Sequence, residues 1–258
     1  MITLTLPTTT KAAVASRAPS FLRAFAVEFR KLIDTRSGAA LLGIAALLAG
    51  VFGGGAALTA DARTDFGRIA LMAGVPGGLI LMVLAILLVT SEFTTRTASV
   101  TFTLNPRRSE VLAAKVAVVL VMALLVTALA VVAGALVMVV SPSVTGQNLP
   151  WTVNTARLAV FTATSALMAC SGIALGLAFR NTPAPLVILL TWPMVASMVA
   201  TASPAAAEAL SYLDQAAAAG LAGGATGPAV VKVMTSFTVW VLVPGVIGTL
   251  RTLRGDLS

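Results

Sequence analysis

Stretches free of Asp, Glu, Lys and Arg recur along the chain at 38–60, 69–91, 116–156, 158–179, 181–207 and 233–250. A helix crosses the hydrocarbon core of a bilayer with about 20 such residues. The third stretch is twice that length, but Ser141, Pro142, Gly146, Asn148 and Pro150 are turn formers that divide it, leaving a helix near 116–140 and a polar loop. Six spans are predicted, near 38–59, 69–91, 116–140, 158–179, 184–203 and 230–250. The last is long enough once it starts near Ala229, with Lys232 snorkelling to the interface.

Ahead of the first span the pattern changes. Placed at 100° per residue, Phe21, Leu22, Phe25, Phe29, Leu32 and Ile33 share one arc, while Arg23, Arg30, Lys31 and Asp34 fall on the other side. This predicts an amphipathic interfacial helix over 20–36, apolar face in the headgroup region and basic face toward water and anionic lipid. Residues 1–19, rich in Thr, Ala and Ser without an apolar centre, read as a loose tail and not as a cleavable signal. Residues 20–258 form a single transmembrane domain. The segment from Pro204 to Pro228 is too apolar for a free loop, and its short Ala-rich runs broken by glycine predict a re-entrant helical segment between spans five and six. The fold class is an all-α integral membrane protein.

Composition sharpens this. With 58% hydrophobic and 10% charged residues and a mean hydropathy of +1.00, the chain cannot cover a folded surface in water. The net charge of +8 belongs to basic loops rather than to nucleic-acid binding. Thirteen of the seventeen Lys and Arg lie in the N-terminal segment, the loops after spans two and four, and the C-terminal residues, against Arg63, Arg68, Arg157 and Lys232 on the other side. The positive-inside rule therefore puts both termini in the cytoplasm.

Absences narrow the chemistry. The chain has no His and a single cysteine, Cys170, so His-based hydrolysis, zinc or haem ligation and an intrachain disulfide are excluded. No span carries an ionisable residue near its centre, which argues against a proton- or ion-coupled relay. The chain is not expected to be an enzyme, and it has no catalytic, cofactor or metal site to offer. Glycine pairs four apart, Gly50 and Gly54, Gly74 and Gly78, Gly172 and Gly176, are candidate helix crossings. Pro76, Pro193 and Pro244 sit within spans and are expected to kink them.

The cytoplasmic stretch 91–115 carries the most specific signal. Glu92 ends span two, Asn105 and Pro106 have the chemistry of an N-cap and a first helical residue, and Arg107 and Arg108 lead a helix through Lys115 into span three. Two arginines in a first turn oppose the helix dipole, so they serve orientation or a contact with an acidic partner surface.

These pieces resemble the membrane subunits of type-2 ABC transporters, a family of bacterial drug, antibiotic and polysaccharide export permeases. The resemblance rests on an interfacial helix with Glu28, Arg30 and Lys31, then Arg36 and Ser37; on Glu92, Phe93 and Thr97 after span two; and on Pro106, Arg107, Arg108 and Lys115 entering span three, and Phe25, Glu28, Arg30 and Lys31 are the candidate residues of the interfacial helix. The six-span layout agrees along nearly the whole chain. It implies that residues 95–104 form a coupling helix on a separate ATPase, with Glu92, Arg96, Phe102, Pro106, Arg107 and Arg108 as coupling residues. Two departures stand out: Arg96 occupies a position where many relatives have Gly, and Val100, Phe102 and Leu104 alternate with threonines at the period of a strand.

The resemblance further implies two ATPase copies that bind ATP and magnesium, since this chain has no GxxxxGK[ST] loop and binds no cofactor of its own. It implies a second permease subunit, the same or a related chain, with the path between them. Thr191, Trp192, Ser197 and Met198 on span five are the candidate lining for a lipophilic or amphipathic substrate, a drug, antibiotic or lipid-like compound. The expected location is the bacterial cytoplasmic membrane, where export would confer antibiotic resistance. A membrane immunity factor or scaffold protein without transport is the alternative, because no residue inside the chain performs chemistry.

Overall fold

The computed structural model describes residues 21–61, 64–94, 108–216 and 227–253. Among these every regular element is helical: α1 (Phe21–Ile33), α2 (Arg36–Leu58), α3 (Phe66–Thr94), α4 (Arg108–Thr145), α5 (Thr155–Phe179), α6 (Pro183–Ala200), α7 (Pro204–Ser211), α8 (Pro228–Phe237) and α9 (Val243–Leu253). A π-helical turn at Thr238–Leu242 joins α8 to α9. Six units, α2, α3, α4, α5, α6 and α8 through α9, are long and apolar enough to cross a membrane. The architecture is that of a multi-pass membrane protein.

Local chemistry explains the boundaries. Thr35 Oγ1 accepts from the Gly38 N–H at the start of α2, the Asn154 side chain accepts from the Arg157 N–H at the start of α5, and the Ser203 hydroxyl accepts from the Ala206 N–H at the start of α7. At the end of α5, Arg180 turns into the left-handed region at φ 54° and donates its N–H to the Gly176 carbonyl. One boundary departs from the sequence pattern: Pro142 does not end the third span, and α4 continues to Thr145 for 38 residues, about 57 Å at 1.5 Å per residue. Proline removes the N–H that would serve the Met138 carbonyl, and the neighbouring Ser141 hydroxyl donates to that carbonyl at 3.3 Å instead. Pro244 follows the π turn, in which the Val243 N–H reaches back five residues to Thr238 O.

The core lies among α3, α4 and α5, where Leu81, Leu84, Ala85, Leu88, Val118, Val119, Met122 and Ala169 are buried. α3 is the central helix, with 67% of its most apolar window buried, whereas α6 has 11%. The outer faces of α2, α4 and α6, with Leu47, Val139, Met194 and Met198 exposed, carry the apolar surface that a bilayer would solvate.

Two of the three glycine pairs make one crossing. A Cβ on Gly74 would meet Phe161 of α5 at 2.6 Å and one on Gly78 would meet Ser165 at 3.1 Å, while Gly172 and Gly176 of α5 face Met82 and Thr90 of α3 in return. Small residues on each helix thus admit the other. Between α4 and α5, the Thr127 and Thr162 hydroxyls share a 2.8 Å hydrogen bond.

Contacts also fix which helix ends share a level. Arg251 of α9 donates to Ala178 O of α5, Thr90 of α3 bonds Thr182 before α6, and α1 meets the starts of α2 and α4. We call this the near end. At the far end Phe66 N–H donates to Pro150 O and Gly67 N–H to Thr152 O, with Trp151 against Phe66 at 5.4 Å.

Gly172→Val is expected to lower stability by about 1–3 kcal/mol, because a Cβ there meets the Met82 carbonyl, a backbone atom that cannot rotate away. Thermal unfolding in mild detergent measures this, and an unchanged midpoint would refute the close crossing.

Candidate functional site

Three helices meet at the near end with a charged residue on the face each turns to the core. On α1 the inward stripe reads Phe25, Glu28, Phe29, Leu32; on α3 it reads Ala85, Leu88, Val89, Glu92; on α4 it reads Val111, Lys115, Val118, Val119. Each charge occupies a position where helical periodicity calls for an apolar side chain. Glu28 and Lys115 are 3% and 2% exposed, and Glu92 is buried with them.

Such burial is tolerable only when every polar atom is paired. The Lys115 ammonium has three donors and uses all of them: Glu28 Oε2 at 2.6 Å, Glu92 Oε1 at 3.0 Å and the Leu88 carbonyl at 3.0 Å. Lys31, half-exposed on α1, closes the cluster from outside, donating to Glu28 Oε1 at 2.7 Å and Glu92 Oε1 at 2.8 Å. Two carboxylates and two ammoniums balance. Burial pulls the Lys31 ammonium down, but hydrogen bonds and attraction from Glu28 and Glu92 outweigh it, so its pKa stands above the ordinary 10.5. A raised lysine contributes its stability fully below the unfolded pKa and loses it only as pH climbs through the higher folded value. The contact is therefore complete at neutral pH.

Packing reinforces the ions. Phe25 stacks on Phe29 at 5.9 Å, and both pack with buried Leu32 against the core. At the elbow between α1 and α2, a Cβ on Gly38 would overlap the Leu32 carbonyl, so only glycine lets α2 leave at that angle. A recess of about 220 Å³, lined by Lys31, Thr35, Ser37, Leu84, Leu87 and Ser91 among others, lies beside the elbow.

The amphipathic reading of α1 needs one correction. Lys31, assigned to the water-facing side, turns inward to the cluster, because the carboxylates of Glu28 and Glu92 lie within reach of its flexible stem. Arg30 is exposed as expected, but Leu22 and Val27 are exposed as well. Of the coupling candidates, Glu92 is in the cluster, while Arg96, Phe102, Pro106 and Arg107 lie outside the described residues, as does the whole segment 95–104. Arg108 is the first residue of α4. Arg180 stands over the Phe93 ring at 5.9 Å, so the exit of α3 also meets the end of α5.

The four candidate lining residues of α6 do not share one surface. Trp192 and Ser197 line a far-end recess of about 280 Å³ with Pro193, Ala200, Leu210 and Asp214. Thr191 and Met198 face away from it, Met198 being 78% exposed. The segment after α7 is pinned by two indoles that sequence reading missed as a pair: Trp192 Nε1 and Trp240 Nε1 both donate to Leu213 O, at 3.2 and 2.8 Å, with their rings 5.3 Å apart. Ser236 donates to Asp214 O at 2.8 Å.

No family model, curated protein or solved structure matches the chain.

Lys115→Met is expected to cost about 3–5 kcal/mol, since it leaves Lys31 alone to balance two buried carboxylates, and Lys31→Met less, since water can replace an ammonium at the rim. Thermal unfolding and limited proteolysis within α1 report both. Equal losses in the two variants, or no loss in either, would contradict the cluster.

Proposed function

We propose that the chain is the permease subunit of an ATP-driven exporter, carrying a lipophilic or amphipathic substrate across the bacterial cytoplasmic membrane with energy from two copies of a separate ATPase. A second permease subunit, the same or a related chain, completes the path, and ATP and magnesium belong to the ATPase. The near end then faces the cytoplasm.

The observation that supports this reading most is the ion cluster. Glu92 stands at the entrance of the segment between α3 and α4, Lys115 lies just beyond its exit, and the two are bridged to each other and to Glu28 of α1. A partner pressing on that segment or on α1 moves α3 and α4 together, because sliding either helix strands a charge in the core. Such coupling is what an engine outside the membrane requires of a pathway inside it. Spans without a charge near their centres, with hydroxyls and a tryptophan at the α6 recess, suit a lipophilic or amphipathic cargo.

Scrambling residues 95–107 while leaving Glu92 and Lys115 in place tests the reading. In reconstituted vesicles with the ATPase, transport and substrate-dependent ATP hydrolysis are expected to fall about five- to hundredfold, with the melting temperature of the permease unchanged. Full retention of both activities would overturn the coupling role.

A further inference from the structure

One buried residue at the far end gains nothing from its burial. From Thr201 to Ala216 the chain is exposed or partly exposed at every position except Gln215, which is 3% exposed. Its Nε2 and Oε1 are both shielded from solvent and meet no hydrogen-bond partner among the described residues. A primary amide offers two donors and an acceptor, and leaving all of them unpaired opposes the conformation that buries it.

Apolar packing does not offset this, since no residue of α7 is buried. What holds the segment is a set of polar ties from its neighbours. The Trp192 and Trp240 indoles donate to Leu213 O and the Ser236 hydroxyl donates to Asp214 O, the two carbonyls just before Gln215. At the rim Lys232 reaches Glu208 Oε1 at 3.1 Å and stands over the Tyr212 ring at 5.4 Å. Hydrogen bonds are short-ranged, so a small outward shift loses the ties while it solvates the Gln215 amide. The segment therefore has two resting places, tied and released, rather than a continuous range. The exposed turn 201–203 after α6 supplies a pivot, and α7 with Asp214 forms one wall of the 280 Å³ recess whose other wall is α6.

We propose that residues 204–216 are a movable wall of this far-end recess, latched by the two indoles and Ser236 and biased toward release by the Gln215 amide. The device stands with or without the export reading. Labelling with a membrane-impermeant maleimide in nanodiscs of dioleoylphosphatidylglycerol tests it, because Cys170→Ala leaves the chain without a cysteine. In that background Ser236→Cys puts a thiol at a fully buried position beside Asp214, and Ser171→Cys does the same in α5 as a reporter of global opening. Gln215→Met keeps the side-chain length and removes the amide. It is expected to slow labelling at position 236 about five- to hundredfold and to leave labelling at 171 unchanged. Trp240→Phe, which removes one latch N–H, is expected to speed labelling at 236 about two- to tenfold. A rate at 236 that does not move in these two directions, or that moves equally at 171, would overturn the proposal. Gln215→Leu replaces the methionine variant if the latter does not fold.

Discussion

A buried lysine with every one of its protons assigned governs the near end of this protein. Lys115 sits where α1, α3 and α4 converge, and its three partners come from two of those helices: Glu28 from α1, and Glu92 and the Leu88 carbonyl from α3. Hydrophobic contact alone would let three helices slide against each other at small cost, since one leucine replaces another. An ion cluster does not slide. Register and angle are fixed together, because any displacement leaves a charge without its counter-ion in an apolar surround.

The rest of the architecture reads outward from that junction. α3 is clamped at its near end by the ions and along its length by the reciprocal glycine crossing with α5, so it forms the rigid axis of the bundle. α2 and α6 touch that axis on one face and leave the other to the surroundings. At the far end a different device serves: two indoles converge on one carbonyl, Leu213 O, and hold the segment after α7 against α6 and the π-helical turn. The chain is thus tied at both ends by polar contacts, with apolar packing between them. Movement that preserves both ties has to pass through the lightly packed helices.

Much of this was legible in the residues. The spans follow from uninterrupted apolar runs, and all six coincide with helices within a few residues, apart from the extended ends of α3 and α4. α4 overran its predicted end because a serine hydroxyl can take over the carbonyl that Pro142 abandons, a substitution of partners that breaker rules do not register. The glycine pairs illustrate the limit of spacing: Gly74 and Gly78, like Gly172 and Gly176, meet helices, while a Cβ on Gly50 or Gly54 meets nothing within 4 Å. Spacing gives a smooth face but not its partner. The cluster left a readable trace, since Glu28, Glu92 and Lys115 each interrupt an apolar stripe at a core position. Counting loop charges for orientation hid that trace by treating Lys115 as one more basic loop residue. No periodicity foretells that two tryptophans 48 positions apart share a carbonyl.

The account's central claim is that the chain passes on energy that another polypeptide supplies. Affinity purification of the tagged protein in mild detergent, with the proteins of its neighbouring genes co-expressed and stoichiometric partners identified, tests it most directly. The account predicts an ATPase with a phosphate-binding loop at one copy per permease. Recovery of the chain alone, as an oligomer without any ATPase, would contradict it.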